Sequence, residues 1–293
     1  MVVKPTPGER IFDAFNILFL ACCSFLFLYP VWYVIVSSFS DAHAIAAGKV
    51  TFFPIDFNLR AYQLVFSDSM ILDAYGNTLF YVVAGTLINL LLTTLGAYPL
   101  SRPNLQGKRF IMAFIVFTMF FSGGLIPGYL NIRDLGLYDT VWALLLPGAV
   151  SAFNLIVMRT FFQNTIPESL VESGKIDGAH DFRILWSLVL PLSMPVIAVM
   201  TLFYAVSHWN SWFTAMIYLQ DRSLYPLQLI LREILIQSSA QNLTSSVTQD
   251  ELSRVSEAIK YATIVVATVP ILIVYPFLQK YFVKGVMIGA VKE

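Results

Sequence analysis

The sequence predicts an all-α, polytopic membrane protein with six transmembrane helices and both termini in the cytoplasm. Three observations lead to this class. Of 293 residues, 57% are hydrophobic and only 12% charged, with a mean hydropathy of +0.72, whereas soluble domains carry about 25% charged residues. Six apolar stretches are long enough for a bilayer core, which takes about 20 residues of helix. The Lys and Arg residues gather in alternate connections, and cytoplasmic loops are the ones enriched in them.

In chain order, the spans are expected over residues 11–37, 74–100, 110–127, 141–162, 184–206 and 258–283. Residues 1–10 lack a cleavage pattern, and the apolar run behind them is too long for a signal peptide. Asp13 sits at the edge of the first span, within reach of water. The third span is short and ends in Gly123 and Gly124, so it is expected to tilt or break there. Lys4 and Arg10 precede the first span. Arg102, Lys108 and Arg109 fill the second connection, Arg159, Lys175 and Arg183 flank the fourth, and Lys280, Lys284 and Lys292 close the chain. That pattern places the second and fourth connections with the termini on the cytoplasmic side. No linker or solenoid repeat divides the chain, which reads as one membrane domain over 1–293.

Two connections carry more than their length requires. The stretch 164–183 holds Glu168, Glu172, Lys175, Asp177, Asp181 and Arg183. Such charge is expensive in lipid and must leave the bilayer. Residues 168–175 read as a short helix with Pro167 at its start. Gly174 and Gly178 then permit either a turn of positive φ or a close backbone approach. A re-entering helix follows, with Pro191 and Pro195 in its first turns. The other long connection, 208–257, opens with Trp209, Trp212, Phe213 and Tyr218, aromatics suited to a membrane boundary. Leu227, Ile230, Leu231, Ile234 and Leu235 then fall on one helical face, opposite Gln228, Arg232 and Glu233. Residues 238–248 are polar and read as a mobile loop, either a connector or a surface that meets a partner.

Several functions are unsupported. No glycine loop followed by Lys and Ser or Thr is present, so nucleotide binding in the usual way is not expected. No span shows a central Asp, Glu, Lys, Arg or His, which argues against an ion-coupled secondary carrier for a polar solute, the main alternative reading. His43 and His208 stand alone. His180 with Asp177 and Asp181 is the one acid–base cluster, and no metal-ligand spacing accompanies it. The zero net charge gives no reason to expect nucleic acid. Cys22 and Cys23 are adjacent and are not expected to pair. Intramembrane Asn77, Thr78, Asn89, Thr93, Thr94, Asn154, Thr201 and Tyr204 suit hydrogen bonds between helices. A pathway for a hydroxyl-rich polar solute would draw on amides and aromatic faces, for which Asn77, Asn154, Tyr204, Trp209 and Asn210 qualify.

The fourth connection carries a resemblance. Glu172-Ser173-Gly174, then Ile176-Asp177-Gly178-Ala179, then Leu190-Pro191 resemble the cytoplasmic signature of binding-protein-dependent ABC importer permeases. Ser173 and Gly174 stand where that family has two alanines, and only part of its Ile-x-Leu-Pro is kept. The stretches at 121–127, 135–140 and 284–289 resemble the oligosaccharide branch. The likeness is nearest to permeases for large, often acidic oligosaccharides, such as the second permease subunit of alginate-oligosaccharide importers. The resemblance implies the ABC importer permease fold in a bacterial inner membrane. It also implies a second homologous permease subunit, two ATPase subunits that carry ATP and Mg, an extracytoplasmic solute-binding protein and surrounding membrane lipid. This chain itself would bind no cofactor and perform no catalysis. Glu168, Glu172, Ser173, Gly174, Ile176, Asp177, Gly178, Ala179, Leu190 and Pro191 would couple to the ATPases. Gln241, Asn242, Thr244 and Ser245 would meet the binding protein.

Overall fold

A computed structural model describes residues 6–67, 69–244, 257–273 and 276, with backbone alone over 237–244. Every regular element among them is helical. The chain forms two compact units, one from Met1–Ser69 with Glu233–Thr268, the other from Met70–Arg232 with Val269–Glu293.

The first unit opens with α1 (Pro7–Ser38). Thr6 and Glu9 cap each other's backbone, which satisfies donors at the helix start. The helix is apolar all round, as expected of a segment whose solvent is lipid or another chain. Its side chains from Ile11 to Trp32 are largely exposed, and burial begins at Val36. Cys22 is exposed and Cys23 half-buried, both as free thiols. α2 (Ala42–Ala46) and α3 (Arg60–Ser67) follow. The connection folds back on the end of α1. Trp32 Nε1 donates to the Phe52 carbonyl at 2.9 Å, and Ser38 and Tyr62 share a hydroxyl bond of 2.7 Å.

The second unit is organised around α4 (Ser69–Ser101). It begins five residues before the expected span. α5 (Lys108–Phe120) and α6 (Leu125–Asp134) meet at 114°. This is the break expected at Gly123 and Gly124, and Gly124 takes φ +87°. The stretch 141–162, expected to be one span, is instead divided. α7 (Trp142–Leu145) ends before Pro147 and Gly148, and α8 (Ala152–Thr165) starts after Ser151. Proline and glycine at the join end one helix and free the backbone to start another.

α9 (Glu168–Ile176) and α10 (Asp181–Ile184) come next. The re-entering segment is not one straight helix. It passes through a π-turn at Leu185–Val189 and a short α11 (Leu190–Leu192), then bends by 85° into α12 (Met194–Trp209). Pro191 and Pro195 lack the N–H groups that a continuous helix would use, so the ladder breaks between them. α13 (Trp212–Tyr218), a 3₁₀ turn at Arg222–Leu224 and α14 (Leu227–Thr244) follow. The last described helix, α15, covers 257–273. The remainder of the sixth expected span lies outside the described residues, apart from residue 276.

Two helices, α1 and α4, are each long and apolar enough to cross a membrane. The two bent pairs would bring this to four among the described residues. α14 buries Leu227, Ile230 and Leu231 as its pattern predicts, and Leu229 as well. It also runs through Thr244, so residues 238–244 are helical rather than loop. Residues 245–248 lie outside the described residues.

The segment 220–227 is strapped down from two directions. Asn77 Nδ2 donates to the carbonyls of Ser223 and Tyr225 at 2.6 and 3.2 Å, and Tyr81 donates to Leu224 at 2.9 Å. Asp139, at φ +56°, accepts from the backbone N–H groups of Gln220 and Asp221 at 2.7 and 2.9 Å. The start of α14 is fixed by the Leu227 N–H donating to Thr78 Oγ1 at 2.8 Å, with both groups buried.

Thr78→Val keeps the side-chain shape but leaves that buried N–H unpaired, at a cost of about 1–3 kcal/mol. A lower melting temperature of the purified protein is expected. An unchanged melting temperature would show that the bond to Leu227 is not needed.

Candidate functional site

The charged connection forms a small, rigid handle. Pro167 caps α9, which then buries Val171 and Gly174 and leaves Glu168, Glu172 and Ile176 outside. Ile176 is 86% exposed although it lies in a charged, polar stretch. Gly174 lets α9 approach its neighbour closely. A Cβ there would lie 3.3 Å from Leu188 and 3.4 Å from Ile184.

The C-terminus of α9 is a Schellman motif. Gly178 takes φ +79°, its N–H donates to the Lys175 carbonyl at 3.0 Å, and the Ala179 N–H donates to Gly174 at 2.9 Å. Of the two roles open to Gly178, the turn is therefore the one observed. A Cβ there would meet nothing within 4 Å, so steric space does not select the glycine. Lys175 and Asp181 close the handle with an ion pair of 3.2 Å. His180 caps α10 by accepting from the Arg183 N–H at 3.3 Å. Among the described residues no group of three metal-ligating side chains converges, at His180 or elsewhere.

One apolar core joins this handle to the bent helix. It runs from Val171 through Ile184, Leu185 and Val189 to Val196, Met200 and Tyr204, with Met158 and Phe162 of α8 packed alongside. Leu190 and Ala179 lean on the same core. Pro191 instead lines a lateral hollow against Leu87, Leu91 and Trp186. Leu190 and Pro191 thus lie at the elbow rather than on the exposed handle.

At the far end of this core is a cavity of about 830 Å³. Asn154, Tyr204 and Trp209, three of the expected pathway residues, line it together with Ser151, Ser207 and Phe203. The Trp209 indole N–H is buried and has no hydrogen-bond partner among the described residues. Its ring is held edge-on by Tyr75 at 6.1 Å. An unpaired buried donor beside a cavity is a group available to a ligand. Among the described residues no charged side chain lines this cavity. The other two expected pathway residues are elsewhere. Asn77 is used in the strap, and Asn210 is exposed and donates to its own helix at Val206.

The cavity wall is built where α7 gives way to α8, and side chains from α4 and α12 satisfy the freed backbone. Tyr204 shares a 2.7 Å hydroxyl bond with Thr93 and accepts from the Ser151 N–H at 3.3 Å. Asn89 Nδ2 reaches the Gly148 carbonyl at 3.4 Å. Thr94 meets Met158 at 3.5 Å, and Thr201 bonds within its own helix.

His208 corrects an expectation. It is buried, its Nε2 stands 3.5 Å from Asn89 Oδ1, and its ring occupies the space a Cβ on Gly85 would need. Gly85 is midway along α4, so a histidine does pack against the middle of a helix long and apolar enough to cross a membrane. The sequence reading put His208 at the start of the outer connection 208–257, past a span ending at 206, whereas α12 runs on to Trp209 and includes it. Nothing in its spacing showed that the bend in the preceding segment would carry that end to the middle of α4.

Gln241, Asn242 and Thr244 fall on the last turns of α14. Ser245 lies outside the described residues.

Residues 103–288 match the family described as binding-protein-dependent transport system inner membrane component. The polygalacturonan/rhamnogalacturonan transport system permease protein YtcP of Bacillus subtilis (strain 168) is 44% identical over 284 residues, covering 97% of this chain and 99% of that protein. Protein LplC of the same organism is 44% identical over 287 residues, covering 98% and 97%. A chain from the crystal structure of a bacterial ABC transporter involved in the import of the acidic polysaccharide alginate superposes with a TM-score of 0.88. It is 36% identical, and the match covers 96% of this chain and all of that one.

Gly178→Val forces a branched side chain into left-handed backbone, at roughly 1–2 kcal/mol. Faster hydrogen–deuterium exchange across residues 168–179 is expected. Gly178→Asn should be milder, and exposed Ser173→Ala should change little. Equal exchange in Gly178→Val and Ser173→Ala would remove the Schellman turn as the element that fixes the handle.

Proposed function

The chain belongs to the family of inner-membrane components of binding-protein-dependent transport systems, and from that premise we propose that it is one permease subunit of an ATP-driven oligosaccharide importer whose substrates are acidic. In this reading it is a single permease domain that crosses the membrane six times, with both termini in the cytoplasm. A second, related permease completes the pathway. Two ATPase subunits, which carry ATP and Mg, dock on the handle, and a solute-binding protein delivers substrate from the other side.

The observation that carries the reading is the exposed face of α9. Glu168, Glu172 and the bare Ile176 are presented together while Val171 and Gly174 anchor the helix to the core. A mixed apolar and acidic surface outside the bilayer suits a protein partner with a basic groove. The core then connects that surface to Tyr204 on the cavity wall. Displacement of the handle by ATP-driven closure would move the cavity wall with it, as a rigid-body transition requires.

The sugar assignment is supported by the relatives, one named for polygalacturonan/rhamnogalacturonan transport and one structure described for alginate import. The cavity fits hydroxyl and ring recognition through Asn154, Tyr204 and Trp209. Among the described residues its lining has no cation for a uronate carboxylate. Selection for acidic sugars is therefore assigned to the binding protein and the second permease. The end of α14, with Gln241, Asn242 and Thr244, and the adjoining Ser245 are assigned to the contact with the binding protein.

Glu172→Lys reverses the charge on the exposed face without touching the core. In the reconstituted importer, ATP hydrolysis is expected to lose its stimulation by loaded binding protein, and uptake of labelled oligogalacturonides to fall with it. Wild-type uptake in this variant would remove the docking role. Trp209→Phe keeps an aromatic ring beside Tyr75 while removing the free N–H and the second ring of the indole. A substrate-dependent fall in uptake of about 2- to 10-fold is expected for loss of one hydrogen bond, with basal ATPase activity unchanged. Uptake unaltered for every sugar would take the cavity out of the pathway.

A further inference from the structure

A second cavity, of about 340 Å³, lies at the opposite end of α4, between that helix and the handle. Its lining changes character over a short distance. Leu95 and Leu185 are apolar, while Arg102, Asn104, Lys175 and Asp181 are polar or charged. Phe182 is 63% exposed at its edge. Tyr98 also lines it, is only 6% exposed, and has a hydroxyl with no hydrogen-bond partner among the described residues. A buried, unpaired phenol is costly unless something not in the chain accepts its proton.

The charge around this cavity is unbalanced. Asp181 is already paired with Lys175 at 3.2 Å. Arg102 stacks on the Tyr98 ring at 5.3 Å and, among the described residues, has no carboxylate partner. Its Nε donates to Ser101 Oγ at 2.9 Å and its Nη2 to the Phe162 carbonyl at 3.3 Å. A guanidinium has five N–H donors, so most of the fork is unused. Two more cations back it. Lys108 Nζ donates to the Arg102 carbonyl at 3.1 Å and Arg159 Nε to the Leu100 carbonyl at 3.2 Å. Among the described residues neither has a carboxylate within ion-pair distance.

We propose that this cavity binds the phosphate headgroup of an anionic phospholipid, with the phosphate between the Arg102 guanidinium and the Tyr98 hydroxyl and the chain lying on Leu95, Phe182 and Leu185. The inference rests on the membrane orientation proposed above, in which this end of α4 reaches the cytoplasmic leaflet. An amphiphile matches the lining better than a free anion does, because the apolar wall continues directly from the cationic one. The volume is at the small end for ligand sites, which suits a headgroup rather than a sugar chain. Basic pockets between spanning helices are established sites for acidic headgroups. A lipid held there would bridge α4 and the handle, and so stabilise the handle's seat.

The test reads bound lipid rather than transport, so its failure would leave the importer assignment standing. The assembled importer is exchanged into nanodiscs of phosphatidylcholine with phosphatidylglycerol, extracted, and analysed by native mass spectrometry. Wild type should retain one phosphatidylglycerol more per copy of this chain than Arg102→Gln. Tyr98→Phe, which removes a hydroxyl that no protein group uses, should reduce that retention about 2- to 10-fold. Millimolar inorganic phosphate should not displace the lipid. Equal retention of phosphatidylcholine, or no change in Tyr98→Phe, would overturn the proposal. Displacement by inorganic phosphate would make this a free-anion site and overturn it too. Loss of ATPase subunits from the variants with lipid retention unchanged would show that a partner side chain fills the cavity instead.

Discussion

In a bilayer, every backbone N–H and C=O group freed by a broken helix must find a partner within the protein, because no lipid group can supply one. Among its described residues the second unit breaks three of the stretches that the sequence reads as spans, and its architecture follows from how each is managed. At Gly124 the chain turns by 114° with a glycine in positive φ. At Pro147 and Gly148, Asn89, Thr93 and Tyr204 from two neighbouring helices approach the exposed backbone. At Ser193 an 85° elbow is formed between two prolines, next to a π-turn. The breaks are also where space opens, so the cavity lies against the second of them.

This constraint connects the two ends of the unit. Tyr204 belongs at once to the hydrogen-bonded wall of the cavity and to the apolar core that reaches Val171 under the handle. Close-packed interiors transmit displacement rather than absorb it. The elbow at Ser193 redirects the chain without interrupting the core. The exposed acidic face of α9 and the cavity are therefore two surfaces of one packed body, which is what a subunit driven from outside needs.

Much of this was legible in the sequence because it depends on local chemistry. The handle helix followed from its charges and Pro167. The turn at Gly178 followed from glycine, the break at Gly123 and Gly124 from glycine again, and the buried start of α14 at Leu227, Ile230 and Leu231 from its period, although Ile234 and Leu235 are no more buried than Arg232 and Glu233. Polar intramembrane residues were read as bonds between helices, and Asn77, Thr78, Asn89, Thr93 and Tyr204 do reach other segments of the chain. What was not legible depends on angles. Pro147, Pro191 and Pro195 mark where a helix is weak, but not whether it kinks slightly or turns through a large angle. The single span expected over 141–162, the straight re-entering helix, the position of His208 against Gly85 and the diversion of Asn77 from the pathway all turn on tertiary geometry of that kind. The helical continuation of α14 through Thr244 is a different case. Polar composition suggested a loop, and helix propagation from a well-buried start overrode it.

The central claim is that handle and cavity wall move together across the Ser193 elbow. Spin labels at Glu172 and Ser207 in the assembled importer test it through the distance between them, measured with and without ATP and loaded binding protein. A second pair, linking Glu172 to a site on an ATPase subunit, reports that the transition has occurred. The account predicts that the second distance changes while the Glu172–Ser207 distance stays constant. A Glu172–Ser207 distance that changes with nucleotide would make Ser193 a hinge, and would contradict transmission through one packed core.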